Sequence, residues 1–474
     1  MIFTSEAFIV FAGAFFSIYF FVPYRAQILL TLAASYVFYG WWDWRFLGLI
    51  AGSTAFNYVA GRLLAATPRS ATGRRRLAVV VAVNLMVLGV FKYFHFFADG
   101  LLNILEALGM QTSTSTLRII LPIGISFYTF HSLSYVVDIY RGKIKAEPDP
   151  RVFATYIALW PQLVAGPIVR ASRLIPQLKT RKRFSFARFL VGAELVIVGF
   201  FLKLVIADRL APIVDNIFAA PEAFSGLNVL IGVIFFGFQI YGDFCGYSLI
   251  AIGLARIMGL NLGRNFRRPY FASSFSDFWQ RWHISLSTWL RDYLYVPMGG
   301  SRGGRLATFR NLSATMLLGG LWHGAAWTFV VWGALHGAYL VVQRLLSPVH
   351  RLAEGVGGAT HRGLVAAEIF GVVIAVFVAF VFFRAHDFHE ASAVLTQIFA
   401  GDYAFVGIQN KVQVALGAGL IALLVGVEAG AEAPAVRAAV RRARPLRLMM
   451  AVSMLCMLAL FGAFAGSQFI YFQF

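Results

Sequence analysis

The sequence predicts an all-α polytopic membrane protein. Composition is the first observation: of 474 residues, 59% are hydrophobic, 16% aromatic and only 13% charged, with a mean hydropathy of +0.73. A soluble chain holds nearer 45–50% apolar and about 25% charged residues. The second observation is that apolar runs of about 18 residues or more return along the whole chain, and helices satisfy their own backbone in lipid. The third is where the charge lies. A net charge of +20 would suggest a nucleic-acid partner in a soluble protein, but here Lys and Arg sit in short loops between apolar runs. That placement fits orientation by the positive-inside rule and contact with anionic lipids, and it argues against nucleic acid.

In chain order, runs at 6–22, 27–42 and 46–63 read as three spans, and the first has neither the basic flank nor the cleavage site of a signal peptide. Arg62, Arg69, Arg74, Arg75 and Arg76 place the next loop in the cytoplasm and the N-terminus in the periplasm. Spans follow at 77–97 and 119–140, the latter returning to Arg141, Lys143, Lys145 and Arg151. The segment 152–169 then breaks the pattern. Both its flanks are basic, and Pro161, Gly166 and Pro167 interrupt any helix. A re-entrant segment meets both conditions. Irregular backbone at that depth needs protein or a water-filled cavity around it, so we expect a cytoplasm-facing cavity.

A span at 186–206 leads out and one at 226–256 leads back, the second carrying Gln239, Tyr241, Asp243, Tyr247 and Ser248. The segment 276–300 opens on Ser276 and Asp277, both suited to N-capping. Trp279, Trp282, Leu286, Trp289 and Tyr293 fall on one helical stripe, and Arg281, Ser285, Thr288 and Asp292 on another. It reads as one amphipathic helix at headgroup level. Residues 311–343 are apolar for longer than one crossing, yet their flanks require them to start and finish on one face. They read as a bent pair that dips to mid-membrane near His323. A span at 365–383, an outer loop at 386–402 and a basic cytoplasmic loop at 437–447 complete the topology. Residues 1–474 read as a single membrane-embedded domain without repeats.

No Gly-rich phosphate loop, HExxH or clustered-cysteine motif is present, so no metal site is expected, and Cys245 and Cys456 read as buried apolar residues. Of the nine histidines, His350, His361, His386 and His389 fall in loops, and His95 and His131 lie near span ends. His283 sits beside Arg281 on the amphipathic segment. His323 and His336 differ from these. They stand in a hydrocarbon-length stretch among Trp322, Trp327, Trp332 and many small residues. An ionisable ring there is a functional-site candidate, and small residues let a helix or substrate approach. The two are 13 residues apart, roughly 20 Å and about 220° around an unbroken helix. One imidazole acting alone is the simpler arrangement. Kept neutral by burial, it takes a proton from a hydroxyl as that oxygen attacks a carbonyl. Asp243 or Gln239 could orient it, with Trp322 beside it.

Four stretches together resemble the membrane-bound O-acyltransferase family: LWHGAAWTFVVWGALHG, SFSDFWQRWHISLSTWLRDYLYVPMGG, PQLVAGPIVR and FQIYGDFCGYSLIAIGL. They are most similar to its bacterial branch, which serves alginate O-acetylation and D-alanyl transfer, and VFFRAHDF resembles the alginate-type members. The match runs in order from about 119 to 390. The resemblance implies a multi-helix bundle with re-entrant segments, a cytoplasmic vestibule and a central tunnel. It carries a catalytic role onto His323, in the WHG motif, and matches His336 at a position common in the branch. The segments 152–169 and 276–300 would form the donor vestibule, with matches at Asp277, Trp279, Trp282, His283 and Arg291, and Arg281 beside them. The chain departs from the family at Gly242 and Cys245, where relatives usually read FDFSG; Asp243 and Gly246 stay in place.

The implied activity is transfer of acetyl from cytoplasmic acetyl-CoA, with no bound cofactor, to an exported polysaccharide by way of a periplasmic acetyltransferase or esterase-like partner. Arg264, Arg267, Arg268, Arg302 and Arg305 are candidates for the CoA phosphates, although orientation alone also explains them. The location would be the bacterial inner membrane. A transporter or flippase for a glycan or lipid-linked precursor is the rival reading. It calls for buried carboxylates along the spans, and only Asp243, Glu194 and Glu368 answer.

Overall fold

The computed structural model describes residues 1–110, 119–164, 166–353, 358–401, 403–404, 410–464 and 469–470. Among these, every regular element is helical. The first elements are α1 (Glu6–Tyr19), α2 (Tyr24–Gly40), α3 (Leu47–Ala65), α4 (Ala71–Ala107), α5 (Ile125–Tyr140), α6 (Pro150–Ala158) and α7 (Ala171–Leu178). Then come α8 (Phe186–Phe200), which runs through a π-helical stretch, Phe201–Ala207, into α9 (Asp208–Ala219), and α10 (Gly226–Met258). The short α11 (Phe275–Arg281) and α12 (Ile284–Leu290) precede α13 (Gly304–His323) and α14 (Trp327–Ala353). The chain closes with α15 (Gly358–Arg384), α16 (Phe388–Phe399), α17 (Lys411–Glu432), α18 (Pro434–Arg442) and α19 (Arg444–Phe461).

Six of the described helices are long and apolar enough to cross a membrane: Ala71–Ala107, Phe186–Ala219, Gly226–Met258, Trp327–Leu346, Arg362–Arg384 and Lys411–Glu432. The bent pair Pro434–Val440 and Pro445–Phe461 makes a seventh if it counts as one. The chain is a multi-pass membrane protein. At 14 residues, α1 is shorter than the run expected at 6–22, whereas α2, at 17 residues, starts earlier than expected, at Tyr24 after the N-capping Pro23, and ends at the turn of Trp41 and Trp42. Residues 350 and 361 lie within α14 and α15 rather than in loops, and 389 lies within α16.

The chain divides into two compact units, one of residues 1–196 and 250–263, the other of 197–249 and 264–474. In the first unit, α6 stops at Ala158 because Leu159 leaves helical geometry, φ −51° and ψ 111°. The irregular backbone that follows is buried, with its amides met partly by backbone turns and partly by side chains. The Trp160 amide donates to Ser35 Oγ at 3.1 Å, and the Gln162 amide nitrogen Nε2 donates to the Tyr156 carbonyl at 2.9 Å. The Val169 amide donates to His131 Nε2 at 3.2 Å. His131, expected at a tolerant span end, is fully buried. It serves the break in the chain.

In the second unit, α13 begins at Gly304, seven residues before the apolar stretch at Asn311, so the pair has more length than the sequence pattern allowed. Glycines bring the two backbones together. A Cβ on Gly320 would strike the Phe329 carbonyl, and one on Gly333 would lie 3.1 Å from Leu317 Cα. Only Gly324, Ala325 and Ala326 separate the helices. The core around them is aromatic, with Phe278, Trp282, Trp332, Phe377, Phe380 and Phe383 buried together.

Candidate active site

His323 is the last residue of α13, and Gly324, extended at φ −155° and ψ 153°, turns the chain away from it. The ring is buried. It packs against Trp322 at 5.0 Å, Trp332 at 4.9 Å and Phe383 at 5.3 Å between ring centres. His336 is one turn beyond Trp332 on α14, with 4.7 Å between those rings. The fold between the two helices thus sets one indole between His323 and His336. Phe278 stacks on His336 at 6.0 Å, and Trp279 meets it edge-on at 5.1 Å.

A different imidazole also lies close to His323. His283 lies 6.4 Å away between ring centres, against Trp322 at 6.0 Å and Phe244 at 4.6 Å. The expected single amphipathic helix over 276–300 does not form. It breaks at Trp282 and His283, where His283 takes a left-handed conformation, φ 41° and ψ 53°. The cause is a strap of residues 265–267 that hydrogen-bonds across the corner: the Arg267 amide donates to the Arg281 carbonyl at 2.9 Å, and the Ile284 amide to the Asn265 carbonyl at 2.8 Å. Ser274, rather than Ser276 or Asp277, caps α11, accepting from the Asp277 amide at 3.1 Å. The result buries Trp279, Trp282 and Trp289 instead of laying them at an interface. A non-glycine residue held at positive φ is strain that the surroundings must enforce, and such residues gather at functional sites.

Asn265 supplies that enforcement. Its Oδ1 lies 3.1 Å from His283 Nδ1 and accepts from Ser285 Oγ at 2.9 Å, while its Nδ2 donates to Ser248 Oγ at 3.1 Å. An amide oxygen only accepts, so Nδ1 carries the proton and Nε2 is the basic nitrogen of the neutral ring. Burial pushes the His283 imidazole down to about 3, which keeps it neutral.

The other expected residues fall into two groups. Gln239 and Trp322 are buried in this unit, Trp322 directly on His323. Asp243 does not orient a histidine through the contacts seen. Its carboxylate takes Lys203 Nζ at 2.7 Å and the Ile470 amide at 2.6 Å. Arg281 joins Asp277 at 2.9 Å and Glu432 at 2.8 Å, and Glu432 also holds Arg268 at 3.0 Å. That commits Arg268 away from any phosphate, whereas Arg264, Arg267, Arg302 and Arg305 are exposed. Arg291 is exposed and paired with Asp292 at 2.9 Å. Cys245 is buried, but Cys456 is exposed. Among the described residues, no group of three or more His, Cys, Asp or Glu side chains could hold a metal ion.

Sequence reasoning missed Asn265, Lys203 and Asp208. Asn265 gave no signal in a loop read for its arginines. Lys203 did give one: it stands in the apolar run FFLKLVIAD, five residues before Asp208, and both are buried with 2.7 Å between them.

Residues 144–383 match the model of the membrane-bound O-acyltransferase family. The chain is 47% identical over 348 residues to a probable alginate O-acetylase of Azotobacter vinelandii, covering 73% of this chain and 69% of that protein. It is 33% identical to the peptidoglycan O-acetyltransferase of Helicobacter pylori, over 79% of this chain and 73% of that one. A teichoic acid D-alanyltransferase of Streptococcus thermophilus is 29% identical over 46% of this chain and 56% of its own. The matched region contains His283, His323, His336 and Asn265 together. The chain belongs to the membrane-bound O-acyltransferase family, and it is an O-acyltransferase of the membrane.

Proposed function

We propose that this chain takes acetyl from cytoplasmic acetyl-CoA and passes it across the bacterial inner membrane for O-acetylation of an exported, alginate-like polysaccharide. A periplasmic acetyltransferase or esterase-like partner completes the delivery. The observation that carries the reading is the meeting of two buried imidazoles, His323 and His283, the second fixed in one tautomer by Asn265. The similarity to an alginate O-acetylase supports the acceptor class.

In this mechanism His323 is the general base. It takes the proton of the acceptor hydroxyl as that oxygen attacks the thioester carbonyl carbon, and the carbonyl electron pair moves onto its oxygen. When the tetrahedral intermediate collapses, the C–S bond breaks and the proton passes to the departing sulfur. The products are an acetyl ester and the free thiol of CoA. His283, 6.4 Å away between ring centres, has Nε2 as its unprotonated nitrogen and holds the acceptor by accepting from a second hydroxyl of it. The Trp332 indole N–H, buried beside His323, supplies a donor for the transient oxyanion. The exposed Arg264, Arg267, Arg302 and Arg305 meet the CoA phosphates.

The transporter reading needs ionisable groups that exchange partners along the spans. Lys203, Asp208 and Asp243 are instead engaged with one another and with a backbone amide. One assay separates the readings. Inside-out vesicles should release CoA thiol from acetyl-CoA, faster with acceptor, and right-side-out vesicles should not. His323→Ala should cut that release about 10²–10⁴-fold at an unchanged level of inserted protein. Normal release by this variant, or equal release from both vesicle orientations, sinks the proposal.

A further inference from the structure

The ion cluster that the acyl-transfer chemistry does not use points to a role for the end of the chain. Lys203, Asp208 and Asp243 are each at most 3% exposed at the side chain, within helices of spanning length. Burying charges of this kind is costly, and replacing them with apolar residues is often neutral or stabilising, so their presence asks for a task. The contacts supply one. Lys203 sits in the π-helical stretch Phe201–Ala207, a distortion frequent at functional sites. Asp243 gives one oxygen to Lys203 and the other to the Ile470 amide. The same neighbourhood ties the tail at two earlier points. The Ala463 amide donates to the Leu204 carbonyl at 3.0 Å, and Arg209 Nε to the Phe461 carbonyl at 2.6 Å. Residues 203–209 with Asp243 therefore form a seat for the segment after α19.

What the seat holds in place is Phe469. Its ring lies 4.4 Å from Tyr247 and 5.9 Å from Phe244 between centres, and Phe244 meets His283 edge-on at 4.6 Å. Two aromatic contacts thus lead from the C-terminal segment to the imidazole beside His323. We propose that Phe469 and Ile470, seated by the Lys203–Asp243 pair, are positioning residues for acyl transfer: they back the Phe244 ring and so set where His283 stands. Donor binding does not pass through this route, so its loss should fall on kcat and not on KM.

The test uses the full-length chain in proteoliposomes, with Phe469→Ala, Asp243→Asn and Phe469→Tyr. The kinetic arm rests on the acyl-transfer reading. Phe469→Ala and Asp243→Asn should lower kcat about tenfold or more while KM for acetyl-CoA stays within about twofold, and Phe469→Tyr should restore the rate. A second arm needs no activity: hydrogen exchange of the amides at 283–290 should quicken in Phe469→Ala. Exchange unchanged there overturns the inference even if the wild type transfers no acetyl. So does a wild-type kcat in Phe469→Ala, or a loss that Phe469→Tyr shares together with a lowered melting temperature.

Discussion

His131 in the first unit and His283 in the second are both fully buried, and both are read as the same neutral tautomer. They differ in which nitrogen is anchored. In His131 the Val169 amide donates to Nε2, so the basic nitrogen itself is spent on closing a break in the backbone. In His283 the anchor is Nδ1, through Asn265, and the basic nitrogen is the opposite one. Under the mechanism proposed above, burial alone therefore does not distinguish a structural imidazole from a chemical one. The nitrogen that is held does.

The largest test of this contrast exchanges its consequences. His131→Ala removes the acceptor of a buried amide and should cost about 1–3 kcal/mol. Thermal melts should show the loss, and acyl transfer per folded molecule should stay near wild type. His323→Ala should do the reverse, with transfer gone and the melt nearly unchanged. If His131→Ala lost transfer at unchanged stability, the contrast would fail. A smaller effect should follow from loosening the anchor. Asn265→Ala frees the His283 ring and removes the hydrogen bonds to Ser285 and Ser248, and we expect kcat to drop about 10–100-fold, by analogy with outer-shell partners of ligating histidines. Asn265→Asp, which keeps the acceptor oxygen, should recover much of it; no recovery would assign Asn265 to folding alone.

The smallest effect concerns acid. The unfolded His283 titrates near its ordinary value, about 6.5, while the buried ring is held down to about 3. Between those values the unfolded chain binds the extra proton, so stability is fully present above about 6.5 and is lost as the pH falls towards 3. The slope is at most about 1.4 kcal/mol per pH unit. His283→Gln should flatten the fall in melting temperature between pH 6.5 and 4.5. An identical fall in the variant would show that the ring is not held neutral by burial.

Much of the architecture was legible before the structure. Long apolar runs gave the helices, Pro161, Gly166 and Pro167 gave the broken segment after α6, and the stretch 311–343 gave the closely joined pair α13 and α14 that buries His323. The corner at His283 was not legible, because Trp279, Trp282, Leu286, Trp289 and Tyr293 keep helical spacing straight through it. The strap of residues 265–267 overrides that spacing, and backbone pairing between distant segments leaves no periodic trace. Lys203 was hidden differently: a lone cation in an apolar run reads as an interruption until its two carboxylates are seen beside it.

The close backbone contact at Gly320 and Gly333, with three residues joining the helices, makes α13 and α14 a single stiff slab. Side chains larger than glycine at positions 320 and 333 would force the two helices apart. If His323 is the base proposed above, substrate access to it would be worked by what faces these helices, the Phe383 ring and the corner at Trp282 and His283. Cross-linking α13 to α14 should leave turnover untouched, whereas pinning the corner to α15 should stop it.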